Sequence, residues 1–206
     1  MIKKADYEFL KSNYGNVASW TIWDKANKKS KNVDGADWCS DEEALIQRIH
    51  GKYVFVAMNP YNEIIHIGKI KKHESGEPWR SNFHSKYPKR DNFLRYATAG
   101  TEMEGSYITD LIKDVQTPDG KTLKEEMKKD SSILPRNIAE FKDEISHLSD
   151  KPIIIALGVD VYGWLKPLYN EYKVVQMTHY SDSRHGLTLD SYREEALSII
   201  KSCKCF

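Results

Sequence analysis

Two segments constrain the fold more than anything else in the chain. KPIIIALG, residues 151–158, and KYVFVAMNP, residues 52–60, are solid apolar runs with no alternation. A strand wet on one face alternates apolar and polar residues. A short unbroken run that stops at Gly or Asn-Pro reads as a strand buried on both faces. Such a strand needs helices above and below it, which points to a parallel sheet inside an α/β domain. GSYITDLIK, 105–113, and YKVVQMTHYS, 172–181, supply two more strands rich in β-branched and aromatic residues. The expected architecture is a three-layer α/β/α domain around a central, largely parallel four-stranded sheet.

The segments between the strands read as helices and loops. Residues 2–13 predict a helix with Phe9 and Leu10 on its apolar side. SWTIWDKANKKSKNVDGADW reads as irregular structure anchored by Trp20 and Trp23, part of an N-terminal extension over 1–39. SDEEALIQRIH predicts a helix capped by Ser40, with Glu43 in the capping-box position and Ala44, Leu45 and Ile49 on one face. Residues 61–88 read mostly as loop, punctuated by Pro78 and Pro88. Further helices are expected over 90–98, 121–130, 136–148, just after Gly158, and over 189–202. The whole of 1–206 reads as a single domain.

Composition narrows the function classes. Hydrophobic residues make up 40% and charged residues 30%, as in ordinary globular domains. No run approaches the roughly 20 apolar residues of a membrane span, and MIKKADYEFLKS lacks the apolar core of a secretory signal. A cytoplasmic monomer with no membrane partner is the expectation. Cys39, Cys203 and Cys205 read as reduced thiols, too few for a four-cysteine cluster. The seven histidines form no metal signature, and no phosphate-cradling or nucleophile-elbow motif is present. No metal and no cofactor are expected. The net charge is only +1, yet residues 67–95 are rich in Lys, Arg and His. A local basic stripe of this kind binds phosphates without a basic total; a solvated loop surface has the same composition.

In parallel sheets, ligands bind beyond the C-terminal ends of the strands. Four polar strand ends therefore stand out: Asn59-Pro60, Thr109-Asp110, Gly158-Val159-Asp160 and His179-Tyr180-Ser181. They put an amide, a carboxylate and an imidazole at one edge of one sheet.

In that order, these strand ends resemble the uracil-DNA glycosylase superfamily. VFVAMNPY is similar to the family's first motif, a buried strand ending in a Gly-x-Asn-Pro or Gly-x-Asp-Pro turn. GSYITDLIK is similar to its Tyr-hydrophobic-Thr-Asn strand, closed by a Lys three residues on. PIIIALG is similar to its Val-Ala-Leu-Gly strand, and MTHYS to its His-Pro-Ser motif. The resemblance spans roughly residues 50–200 and is nearest to a bacterial branch that shares WRSNFHS and the GSYITD form. The chain departs from the pattern at Ala57, where Gly is usual, at Tyr180, where Pro is usual, and at Asp110, where many members carry the Asn that reads the base.

The resemblance implies a DNA glycosylase that hydrolyses the N-glycosidic bond of a flipped base, uracil or another deaminated base, in DNA or else in RNA or a nucleotide. It implies that 52–58 and 152–157 lie side by side at the centre of the sheet, where the pocket opens. Asn59 would position the attacking water, or else only cap local backbone in an Asn-Pro turn, and His179 would donate a hydrogen bond to the developing oxyanion of the base, or else be a hydrogen-bonded histidine at a strand end. Met58, Pro60 and Tyr61 would line the base pocket, with Phe83 stacking on the base or else pinning a loop. Ser181 would bind phosphate or else be a turn residue. Lys86, Lys89 and Arg90 would contact the DNA backbone, and Arg184 or Leu187 would fill the gap left by the flipped base. Asp110 has three readings. Ionised, it only accepts hydrogen bonds and suits the adjacent donors of a guanine-like base. Protonated by burial, it mimics Asn. Structural, it pairs with Lys113 or caps a helix. The rival functions are a non-catalytic nucleic-acid or nucleotide-binding module on the same fold and, behind it, a different α/β hydrolase or transferase.

Overall fold

The apolar runs become neighbouring strands. The computed structural model describes residues 2–23, 41–60, 78–79, 91–181 and 186–204. In chain order the elements are α1 (Lys4–Tyr14), β1 (Ser19–Trp20), α2 (Glu42–Arg48), β2 (His50–Ala57), α3 (Asp91–Thr98), β3 (Ser106–Asp110), α4 (Gly120–Lys129), α5 (Ile133–Ser146), β4 (Ile153–Leu157), α6 (Val159–Trp164), a 3-10 turn (Lys166–Leu168), β5 (Val174–Met177) and α7 (Leu189–Lys204).

The strand order is β1-β3-β2-β4-β5. β3, β2, β4 and β5 run parallel, and β2 pairs with β4 at the centre, Val54 opposite Ile154 and Phe55 opposite Ile155. The expected four-stranded sheet gains a fifth strand among the described residues. β1 pairs antiparallel with β3, Ser19 opposite Ile108 and Trp20 opposite Tyr107. Two residues carry no periodicity, so the segment reads as irregular until the open edge of β3 pairs with it. The expected fourth strand, 172–181, is also shorter, because only Val174–Met177 joins the ladder.

Side chains alternate across the central strands and divide the interior in two. Val54, Val56, Ile154 and Ala156 face one core with Tyr7 and Leu10 of α1, Leu45 of α2 and Phe141 and Ile145 of α5. Tyr53, Phe55, Ile155 and Leu157 face the other, under Leu94 and Ala97 of α3 and Tyr192, Ala196 and Ile200 of α7. The solid apolar runs are solid because both faces are covered.

Local chemistry shifts several helix boundaries. Asp41 caps α2 by accepting from the Ala44 N–H at 3.0 Å, in place of the expected Ser40, which lies outside the described residues. On that helix Leu45 is buried and Ala44 is exposed, with Ile49 buried just beyond it. α5 begins at Ile133, earlier than expected, because Pro135 sits in its first turn, where the missing N–H costs nothing. After β4 the helix is brief, and Pro167 is taken up in the 3-10 turn. Among the described residues no helix is long and apolar enough to cross a membrane.

Candidate functional site

Parallel pairing brings four strand ends to one edge. Ala57, the last residue of β2, lies opposite Asp110, the last of β3. Leu157, the last of β4, lies opposite Met177, the last of β5. Across the edge the order is therefore Asp110, then Asn59 two residues beyond β2, then Gly158, then His179 two residues beyond β5. Gly158 turns the chain from β4 into α6 at φ 97°, a conformation few side chains tolerate. A Cβ built there comes 3.8 Å from the His179 Cβ, so the ends of β4 and β5 are in contact range.

The segment after β3 wraps beneath the end of β2. The Leu111 and Ile112 N–H groups donate to the carbonyls of Ala57 and Met58 at 2.9 and 3.0 Å. Asn59 is fixed from the same side. Its Nδ2 donates to the Val115 carbonyl at 3.1 Å and to Thr117 Oγ1 at 3.0 Å. Anchoring the amide nitrogen leaves Oδ1 as the acceptor, and no donor among the described residues takes it up. A fixed amide oxygen is suited to orienting a water, not to deprotonating one. The Met58 side chain lies against Gly120 at the start of α4, where a Cβ would approach its sulfur to 2.8 Å. Pro60 is buried.

Asp110 is 3% exposed, and among the described residues no hydrogen bond reaches its carboxyl oxygens. Burial pushes the carboxyl up to about 8, offset in part by Lys113 and reinforced by Glu144. At neutral pH the group is mostly a carboxylic acid, with one donor beside one acceptor. Lys113 does not pair with the carboxyl: its Nζ donates to the Asp110 backbone carbonyl at 2.6 Å and lies 2.7 Å from Glu144 Oε2. Glu144 Oε1 in turn accepts from Tyr107 and Thr109 hydroxyls, each at 2.9 Å. Asn137 accepts from the Lys113 N–H at 2.9 Å. Sequence patterning did not single out Glu144, Tyr107 or Asn137. The available signal was a Glu on the apolar stripe of α5, four residues after Glu140 and next to Ile145.

His179 is set by its own loop. The Ser181 N–H donates to Nδ1 at 3.2 Å, and Ser181 Oγ lies 2.8 Å from the same nitrogen. A backbone N–H can only donate, so Nδ1 is an acceptor and the neutral ring carries its proton on Nε2. The Ser181 hydroxyl is thus drawn toward the imidazole. Tyr180 stacks on His179, ring centroids 4.6 Å apart and planes 22° apart. α7 holds the approach: Glu195 accepts from the Thr178 N–H at 2.7 Å, and the Tyr192 hydroxyl donates to the Thr178 carbonyl at 2.9 Å.

Leu187 packs partly buried against the core beneath α3 and α7. Tyr61, Phe83, Lys86, Lys89, Arg90 and Arg184 lie outside the described residues. Trp79 is 1% exposed and donates from Nε1 to the Tyr7 hydroxyl at 3.1 Å. Among the described residues no cluster of three or more His, Cys, Asp or Glu side chains is placed to hold a metal ion. In comparison with known proteins, the chain matches no protein-family model and no curated protein.

Proposed function

We propose that the chain is a DNA glycosylase of the uracil-DNA glycosylase type, hydrolysing the bond between a flipped base and its sugar. One observation carries the reading: Asn59, Asp110 and His179 follow or end parallel strands of one sheet, so an amide oxygen, a buried acid and an imidazole share one edge. In the proposed reaction the base enters beyond the strand ends. Asn59 Oδ1 orients water toward the anomeric carbon as the glycosidic bond lengthens. His179 Nε2–H donates to the base oxygen on which negative charge develops. Asp110 reads the base edge. In its neutral form it accepts from N3–H and donates to O4, the pattern of uracil, whereas an ionised carboxylate would repel O4.

The test is cleavage of oligonucleotides carrying uracil, hypoxanthine, xanthine and modified bases, scored as abasic sites. Uracil is expected to be cleaved, and Asn59→Ala and His179→Ala are each expected to slow cleavage at least 100-fold, a size typical of removing a positioning group or an oxyanion donor. Wild-type protein that opens none of these sites ends the enzyme reading.

A second reading is a binding module on the same fold. It is favoured by the Tyr180 ring, which covers one face of His179. Under it, oligonucleotides or nucleotides bind at the same edge without release of a base.

A further inference from the structure

We propose that Glu144 is a positioning residue that decides what Asp110 presents to a ligand: by taking the Lys113 ammonium into a buried pair, it leaves the Asp110 carboxyl without a charged partner at the strand edge. The inference rests on the proposal that Asp110 reads the base, and it adds the group that sets the reader.

The geometry makes Glu144 the partner of the buried cation. Its side chain is fully buried on α5, and the Lys113 side chain is 6% exposed. The Lys113 Nζ is further enclosed by the rings of Tyr14 and Phe141, at 5.7 and 5.6 Å from their centroids. A cation buried to this degree must be paired. Two carboxyls are within its influence, and the chain gives it one carboxylate and one backbone carbonyl: Glu144 Oε2 at 2.7 Å and Asp110 O at 2.6 Å. Strand alternation turns the Asp110 side chain away from Thr109, which bonds Glu144. The Asp110 carboxyl is thus the member of the cluster with no protein partner among the described residues.

The balance of charge follows from this placement. Among the described residues, the charged groups acting on the Asp110 carboxyl are Lys113, from the turn after β3, and Glu144, from α5. The titratable neighbours of the pair are Tyr107 of β3 and Tyr14 of α1, both held above the ordinary tyrosine value, chiefly by burial. α3 and α7 cover the face toward which strand alternation turns Asp110, and none of their charged groups is among those acting on its carboxyl. With Glu144 present, the Lys113 charge is compensated and burial dominates at Asp110. Without it, an uncompensated ammonium held on the Asp110 backbone carbonyl draws the proton off the carboxyl. The site would then offer a carboxylate, and its preferred ligand edge would change from an adjacent donor and acceptor to two adjacent donors.

The experiment follows the Asp110 carboxyl by 13C NMR titration of the free protein, which needs no substrate. In Glu144→Gln the midpoint is expected to fall by at least about one unit, the usual effect of an opposite charge at short range. Lys113→Met should move it upward, and the double variant Lys113→Met/Glu144→Gln, which removes both charges and avoids a lone buried ion, should return it to within about half a unit of wild type. If Glu144→Gln does not fold, Lys113→Met and the double variant decide alone. A midpoint unmoved by Lys113→Met overturns the proposal, whatever the protein does to DNA. Shifts as described, together with no base excision by wild type, would uphold the electrostatic device and reject the glycosylase reading.

Discussion

Asp110 costs the fold stability, and the direction of its pH dependence follows from burial. Its carboxyl is pushed up to about 8 in the native state, and the unfolded chain titrates it near 4. Between those values the native state keeps a proton that the unfolded state has released. Stability contributed through this group is therefore full below about pH 4, falls as pH rises to about 8, and is level above that. At pH 7 the loss is roughly 4 kcal/mol, about 1.4 kcal/mol for each of three units. Asp110→Asn removes the titration. It is expected to stabilise the protein at pH 7 by on the order of 2–4 kcal/mol and to change little at pH 4, as read from urea unfolding at both values. An equal effect at the two pH values would show that the carboxyl is not held protonated. If the glycosylase reading holds, cleavage of uracil by wild type should also decline as pH passes about 8, and Asp110→Asn should flatten that decline.

At the scale of elements, Trp79 and Gly158 each carry a left-handed backbone conformation. Trp79 adopts φ 72° although it is not glycine, which costs of order 1–3 kcal/mol by itself. The conformation persists because the ring packs edge-on against Trp20, centroids 5.4 Å apart, and because its backbone bonds Gly15 and Ser19. Trp79→Ala should therefore destabilise by about 3–5 kcal/mol, the range for emptying an aromatic site in a core, and a shift in the urea midpoint would measure it. A change near zero would mean that the ring adds no net packing energy, since alanine keeps the strained backbone. The junction of β4 and α6 is tuned differently. Gly158→Ala meets no steric wall, since His179 Cβ is 3.8 Å away, but it forces an alanine to φ 97°. The expected cost is about 1–2 kcal/mol; if the glycosylase reading holds, cleavage should fall by more than the folded fraction, because His179 stands next to the strained turn.

For the whole molecule, the question is how a nearly neutral chain would hold a polyanion. The net charge of +1 gives no general attraction, so if the glycosylase reading holds, DNA is expected to be held by the basic stretch 67–95 and the loop after His179. Affinity for DNA is then expected to fall steeply with salt. Charge removal at Lys86, Lys89, Arg90 or Arg184 should lower the slope of log affinity against log salt by about 1 for each phosphate that is no longer neutralised. Fluorescence anisotropy between about 50 and 200 mM salt would measure it. Salt-insensitive binding would point to a small ligand instead.

The sequence by itself determined the layers and the line of polar strand ends, while the central pairing was expected only from the resemblance. The first two rest on local pattern: a run of five apolar residues such as Ile153–Leu157 can be buried in only a few ways, and a polar residue just past it must lie at the edge. The edge strand β1, the cap at Asp41 and the shortness of β5 were decided only by the tertiary structure, because two residues, or a choice between adjacent cap residues, carry too little pattern to be read. The same is true of the site's chemistry. Asn59 and His179 were legible as positions, but the anchoring of one amide nitrogen by Val115 and Thr117, and the tautomer of the ring set by Ser181, depend on hydrogen bonds made in the folded chain. The three readings of Asp110 could not be separated along the chain at all. Its protonation depends on burial and on the cancellation of Lys113 by Glu144, a residue 34 positions away that only folding brings beneath the strand.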